Sequence, residues 1–490
     1  MVFASPIFIF LFLPVVLILY FLSPLRLRNT VLLLMSILFY AWGERFFTLV
    51  MLASIAANWW FGLLLERFPA GRGGKTVVAA AVAVNLGLLG FYKYSGFLVD
   101  QLNALLVPLG FTAIAFDGPH LPLGISFFTF HALSYVIDIY RRDASAQRNP
   151  VDFALYISLF PQLVAGPIIR YHDIHTQLTQ RRTRFDYVVS GVERFVAGFG
   201  KKMLLANPLG EVADAAFALP AGDLTTPVAW LGIVCYTLQI YLDFSAYSDM
   251  AIGLARIFGF DFLENFNYPY TARSMQEFWH RWHISLSNWF RDYFYIPLGG
   301  NRVAEWRVWF NLILVFLACG LWHGANWTFI VWGALHGLFL ALERAGLARV
   351  LERLPVLVRH AYVLITVMVA WVFFRADDIG AAFAYLGAMA GMNGAAQGVG
   401  VERYLDLGVQ ICLVFGILAS ASVFSRLTAD WRCRAGQSRG VLSPGLDQLR
   451  IGADGRIALA GRFALLAAIA WLSAAQMASG TYNPFIYFRF

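Results

Sequence analysis

The sequence predicts an all-α, polytopic membrane protein of roughly twelve transmembrane helices plus re-entrant or interfacial segments. Three observations carry that expectation. The first is composition. Of 490 residues, 59% are hydrophobic and 13% are charged, about half the charged share of a soluble domain. The second is a series of apolar runs, at 3–22, 29–41, 46–65, 76–91, 226–242, 308–322, 327–342, 361–374, 405–424 and 459–478. Each is near the length that crosses a hydrocarbon core, and none alternates as a barrel strand does. The third is charge placement. Loops 24–28, 66–75, 141–149, 170–184 and 426–456 are rich in Arg, whereas 99–120 and 207–225 hold no Lys or Arg. Basic loops stay in the cytoplasm, which predicts that both termini lie outside.

Along the chain, residues 2–22 lack a basic leader and a small-residue cleavage pattern. They read as a retained first helix rather than a signal peptide. Residues 151–170 contain FPQLVAGPIIR, in which Pro161 and Pro167 interrupt a short apolar run. Such a segment is re-entrant or irregular and must be shielded by protein. Residues 261–300 mix aromatic, polar and charged side chains, as interfacial helices or a segment dipping into an interior cavity do. Residues 426–458 form a basic cytoplasmic loop, 481–490 an extracytoplasmic tail, and 1–490 as a whole one membrane-embedded domain. The net charge of +8 follows the positive-inside pattern and gives no sign of a nucleic-acid partner. Cys235, Cys319, Cys412 and Cys433 share no metal-like spacing and read as small hydrophobes. No metal site is expected.

Histidines stand out in this setting. Wound as one helix, EFWHRWHISLSNWFRDYFY (277–295) places Trp279, Trp282, His283, Leu286, Phe290 and Tyr293 on one stripe. Arg281, Ser285, Asn288 and Asp292 fall opposite. His283 then sits on the apolar face, where its ring needs a hydrogen-bond partner. From this helix alone, a core histidine satisfied by a neighbour is the preferred reading. In LWHGANWTFIVWGALHG (321–337), Gly324 and Asn326 predict a break just after His323. His336 would lie within the next helix, where a bond between helices is the plain reading. An ionisable group inside a membrane is costly and marks a functional site by default. Imidazole, with a reference pKa of about 6.5, suits proton transfer.

These stretches carry a resemblance. FYAWGERFF, GFYKYSGF, LPLGISFFTFHALSYVIDIYR, LFPQLVAGPIIRY, YLDFSAYSDMAIGLARIFGF, NFNYPYTARSMQEFWHRWHISLSNWFRDYFYIPLGGNR and LWHGANWTFIVWGALHG resemble the membrane-bound O-acyltransferase family. Within it, they are similar to the bacterial subgroup that O-acetylates alginate. The resemblance covers nearly the whole chain. It implies a ring of membrane helices around a thinned centre pierced by a tunnel, with His323 essential and His283 second. The implied donor is acetyl-CoA from the cytoplasm, with no bound cofactor. His323 would be the general base on an acceptor hydroxyl, assisted by His283. Ser285, Asn288, Arg291, Arg281 and Arg273 are candidate donor contacts, and Arg side chains suit CoA phosphates. Trp279, Trp282, Trp322 and Asn326 would line the tunnel.

The tail TYNPFIYFRF resembles the end of a small peptide that works in teichoic-acid D-alanylation. Tyr487 is therefore a candidate acyl relay, and equally an aromatic anchor at the membrane interface. No Ser-His-Asp hydrolase arrangement is evident. A periplasmic acetyltransferase of the serine-esterase (SGNH) type is the expected partner, with a polysaccharide as the downstream acceptor. Acyl transfer serving peptidoglycan, cellulose or teichoic-acid D-alanylation is an alternative. A proton-coupled transporter or flippase is another, against which the lack of visible repeats counts.

Overall fold

The structure, a computed structural model, describes residues 2–68, 71–181, 183–392, 398, 400–423, 453–480 and 482–484. Regular structure among the described residues is helical throughout. Eight of the described helices are long and apolar enough to cross a membrane: Leu25–Glu44, Phe47–Arg67, Gly71–Leu109, Thr226–Ile257, Glu305–His323, Trp327–Glu352, Val356–Arg375 and Ala460–Ala478. The chain is a multi-pass membrane protein. Two of the apolar runs, 3–22 and 405–424, form the shorter helices Phe8–Leu22 and Leu407–Ser420. Cys433 and almost all of the loop 426–458 lie outside the described residues.

Contacts divide the chain into two compact units. One holds Met1–Arg182 and Trp322–Asn326; the other holds Thr183–Leu321 and Trp327–Arg489. In the first, Asn58 and Asn85 exchange side-chain hydrogen bonds of 3.0 and 2.7 Å. The pair fastens Phe47–Arg67 to Gly71–Leu106 where both side chains are buried. Lipid offers no competing partner, so amide pairs of this kind join membrane helices. Helix Ile125–Arg141 is nearly all buried. Thr129, His131, Ser134 and Asp138 interrupt its apolar run, and all four are buried against protein. The prolines of 151–170 act as expected of them. The segment breaks into Pro150–Ser158 and Phe160–Leu163, and residues 152–169 are buried except Ala154.

In the second unit, Thr226–Ile257 is the central helix. Its most apolar window is 83% buried, against 11% for Ala460–Ala478, so the first packs in protein and the second lies at the rim. Segment 277–295 is not one helix. It forms Met275–Arg281 and Ile284–Phe290, then a wider turn over Arg291–Tyr295. The break is at His283, whose φ of 44° is left-handed. Stripe assignments made for a continuous helix therefore do not carry across it, and Ser285, expected on the polar face, is buried.

Helices Glu305–His323 and Trp327–Leu342 form an antiparallel hairpin. A Cβ on Gly320 would stand 2.3 Å from the Phe329 carbonyl oxygen, and one on Gly333 would stand 2.2 Å from that of Phe316. Glycine alone permits this approach. Gly333→Leu should therefore destabilise the protein by about 1–3 kcal/mol, read as a lowered melting temperature in detergent. Gly87→Ala, with nothing within 4 Å of the added carbon, should leave it unchanged.

Candidate functional site

The turn after Glu305–His323 falls where Gly324 and Asn326 predict it, with Trp327 opening the next helix. His323 is the last residue of its helix and is 6% exposed. Residues 322–326 belong to the first unit, where aromatic side chains of Ile125–Arg141 receive them. The Trp322 ring stacks on Phe130 at 5.3 Å and meets Phe127 edge-on at 5.7 Å. The His323 ring stands 4.8 Å from the Trp322 ring at 73°. Gly324 is buried, whereas Asn326 is half-buried.

His283 is 1% exposed and belongs to the second unit, so His283 and His323 fall in different units. Its Nδ1 lies 3.1 Å from the Asn265 side-chain oxygen. An amide oxygen only accepts, so Nδ1 carries the hydrogen and Nε2 keeps the lone pair. The same oxygen accepts from the Ser285 backbone N–H at 3.2 Å and from its hydroxyl at 2.9 Å. Ile284 N–H donates to the Asn265 backbone carbonyl at 2.9 Å. Asn265 thus fixes the strained turn at both its backbone and its side chains. Phe244 covers the imidazole edge-on at 4.7 Å. Burial pushes the His283 imidazole down to about 3, so it is neutral near pH 7.

His336 takes the plain role. Trp279 Nε1–H donates to its Nδ1 at 3.2 Å, joining Met275–Arg281 to Trp327–Leu342. Trp332 and Trp371 stand around it at 4.9 and 6.4 Å. Trp282 is buried in the aromatic cluster with Phe266, Phe278 and Trp371.

A cavity of about 570 Å³ opens between these elements of the second unit. Trp279, Phe316 and Cys319 form apolar wall, while Asn288, Arg291, Arg344 and Arg349 supply polar and cationic lining. Of the donor-contact candidates, Asn288 and Arg291 line this cavity. Ser285 is spent on Asn265, and Arg281 pairs with Glu277 at 2.7 Å. The Arg273 backbone N–H donates to the same carboxylate at 2.8 Å. Ser274 caps this helix, its hydroxyl accepting from the Glu277 N–H at 3.0 Å. The Glu343 carboxylate is 4% exposed and accepts from Met275 N–H at 2.6 Å and Gln276 N–H at 3.0 Å. It caps the helix that carries Trp279, since an anion is favoured at a helix N-terminus. Among the described residues, no cluster of metal-ligating side chains is present.

Tyr487 lies outside the described residues. The stretch before it is held inside the second unit. Lys202 pairs with Asp243 at 2.8 Å, both nearly fully buried, and also donates to the Pro484 carbonyl. Asn207 donates to Asn483 at 3.3 Å, and the Tyr482 hydroxyl donates to Asp214. Lys202 sits in the π-helical turn Lys201–Ala206, a form frequent at functional sites.

Sequence reading missed Asn265, Glu343 and Lys202. Asn265 was visible only as part of NFNYPY, and its tie to His283 comes from folding. Asn265→Ala should cost about 1–3 kcal/mol by stranding buried donors and lower turnover together with the melting temperature. The exposed Asn267 is the control, and Asn267→Ala should change neither.

A family model described as membrane-bound O-acyltransferase matches residues 124–376. A probable alginate O-acetylase of Azotobacter vinelandii is 42% identical, over 100% of each chain. A peptidoglycan O-acetyltransferase of Helicobacter pylori is 35% identical over 80% of each chain. A teichoic acid D-alanyltransferase of Bacillus subtilis is 26% identical, over 51% of this chain and 67% of its own.

Proposed function

Because the chain belongs to the membrane-bound O-acyltransferase family, and so is an O-acyltransferase, we propose that it carries acetyl groups from acetyl-CoA across the bacterial inner membrane. The groups serve O-acetylation of an extracytoplasmic polysaccharide of the alginate type. One observation carries this reading: the end-to-end similarity to a probable alginate O-acetylase. The buried His323 at a helix end gives it a chemical centre. In this reading about twelve spans ring a central tunnel, and both termini face outward.

His323 is the general base. It takes the proton of the acceptor hydroxyl as the oxygen attacks the thioester carbonyl. A C–O bond forms, the C–S bond breaks, and the CoA thiolate leaves and collects the proton. His283 is the second functional histidine of this reading, with the lone pair left on Nε2 by its bond to Asn265. Acetyl-CoA enters by the cavity lined by Asn288, Arg291, Arg344 and Arg349, whose guanidinium groups suit its phosphates. Trp279 and Phe316 at its wall leave room for a short acyl group. The final acceptor is reached through a periplasmic acetyltransferase of the serine-esterase type. Tyr487 is the candidate relay toward it. The Helicobacter pylori relative supports peptidoglycan as a second acceptor class.

The test is cleavage of labelled acetyl-CoA by purified protein in liposomes, with and without a serine-esterase partner. His323→Ala should cut the rate by roughly the 10²–10⁴-fold that a general base supplies. A wild-type rate in that variant removes His323 from the chemistry. The double variant Arg291→Ala, Arg344→Ala should raise the KM for acetyl-CoA about tenfold or more, as loss of charged hydrogen bonds predicts, with kcat little changed.

A further inference from the structure

Lys93 is the least expected residue in its surroundings. It lies within Gly71–Leu106, a helix long and apolar enough to cross a membrane. Among the described residues no carboxylate forms an ion pair with it. An ammonium ion in such a place needs a reason. Its contacts supply one. The Nζ group donates to the Trp322 carbonyl, to the His323 carbonyl at 3.1 Å and to the Ser126 hydroxyl at 3.4 Å. It also stands 5.9 Å from the Trp322 ring centroid, within reach of a cation–π contact.

Trp322 and His323 end the helix Glu305–His323. The last four carbonyls of a helix have no partner within it, and the partial negative charge there favours a cation. Lys93 meets two of those carbonyls at once. A neutral donor would make such bonds without the charge. The side-chain half of the same turn is held separately, by Phe130 and Phe127 on the Trp322 ring. The backbone of His323 is therefore held by Lys93, and the Trp322 ring beside it by the aromatic pair.

We propose that Lys93 is a positioning residue for His323, its ammonium fixing the final carbonyls of the helix whose end presents the imidazole. This rests on the reading of His323 as the general base. The argument from geometry is that a base at the end of a helix moves with that end. Catalysis needs the base placed closely, and a misplacement of about 1 Å costs on the order of 10²-fold in rate.

The experiment measures kcat, the KM for acetyl-CoA and the melting temperature of the full protein in liposomes. The variants are Lys93→Met, Lys93→Arg, His323→Ala and the double variant Lys93→Met, His323→Ala. Lys93→Met should lower kcat about 10²-fold and leave KM within about twofold. Lys93→Arg, which keeps charge and donors, should recover most of that loss. The double variant should be no slower than His323→Ala alone, because two residues acting as a unit are not additive. If Lys93→Met fails to insert, Lys93→Gln keeps a donor and takes its place, with the same direction expected and a smaller loss. A normal kcat in Lys93→Met beside an inactive His323→Ala overturns the proposal alone. So does equal loss in Lys93→Met and Lys93→Arg with matching falls in melting temperature, which would mark a structural strut. A wild-type rate in His323→Ala sinks the reading of His323 itself and the proposal with it.

Discussion

Lipid offers no hydrogen bonds, so a polar group that this chain takes out of water has to be met by another part of the chain. That constraint organises both units. Asn58 and Asn85 answer each other across two helices. Asn265 answers His283, Ser285 and the backbone between them. Glu343 answers two N–H groups at a helix start, and Lys93 answers two carbonyls at a helix end. Each bond joins segments far apart in sequence, so polar residues set the registration of apolar helices.

The same constraint explains the broken elements. A helix that stops within protein exposes backbone groups, and a side chain must be supplied to each end. The stops at Trp282–His283 and at His323 are both served in this way. Both present a histidine from a helix end rather than from a helix side. An imidazole at a helix end is held by backbone geometry as well as by its rotamer, which suits a group whose task is directional.

Length and hydropathy made the long lipid-facing helices legible, because nothing but apolar side chains satisfies lipid. Ile125–Arg141 was less legible for the converse reason: it is wrapped by protein, so Asp138 and His131 are tolerated on it. The prolines at 161 and 167 announced the irregular segment, and Gly324 with Asn326 announced the turn after His323. The break at His283 was not legible, since WHRWHISLS has no glycine or proline to mark it. It is imposed from outside by Asn265, which accepts the strain of a left-handed residue in return for three contacts to one oxygen. In the candidate site, motif resemblance pointed to His323 and His283. It said nothing of Asn265 or Lys93, because a partner 18 or 230 residues away leaves no periodic trace.

The seating of Tyr482–Pro484 has a consequence in time rather than space. Pro484 follows Lys202 by 282 residues, and Tyr482 follows Asp214 by 268. At roughly 5–20 residues per second, the ribosome reaches Pro484 about 15–55 seconds after Lys202. During that interval Lys202 and Asp243 are already made, while the carbonyl that completes the lysine's shell is not. The second unit therefore finishes its interior only late in synthesis, and this buried pair waits in the insertion machinery or against itself until then.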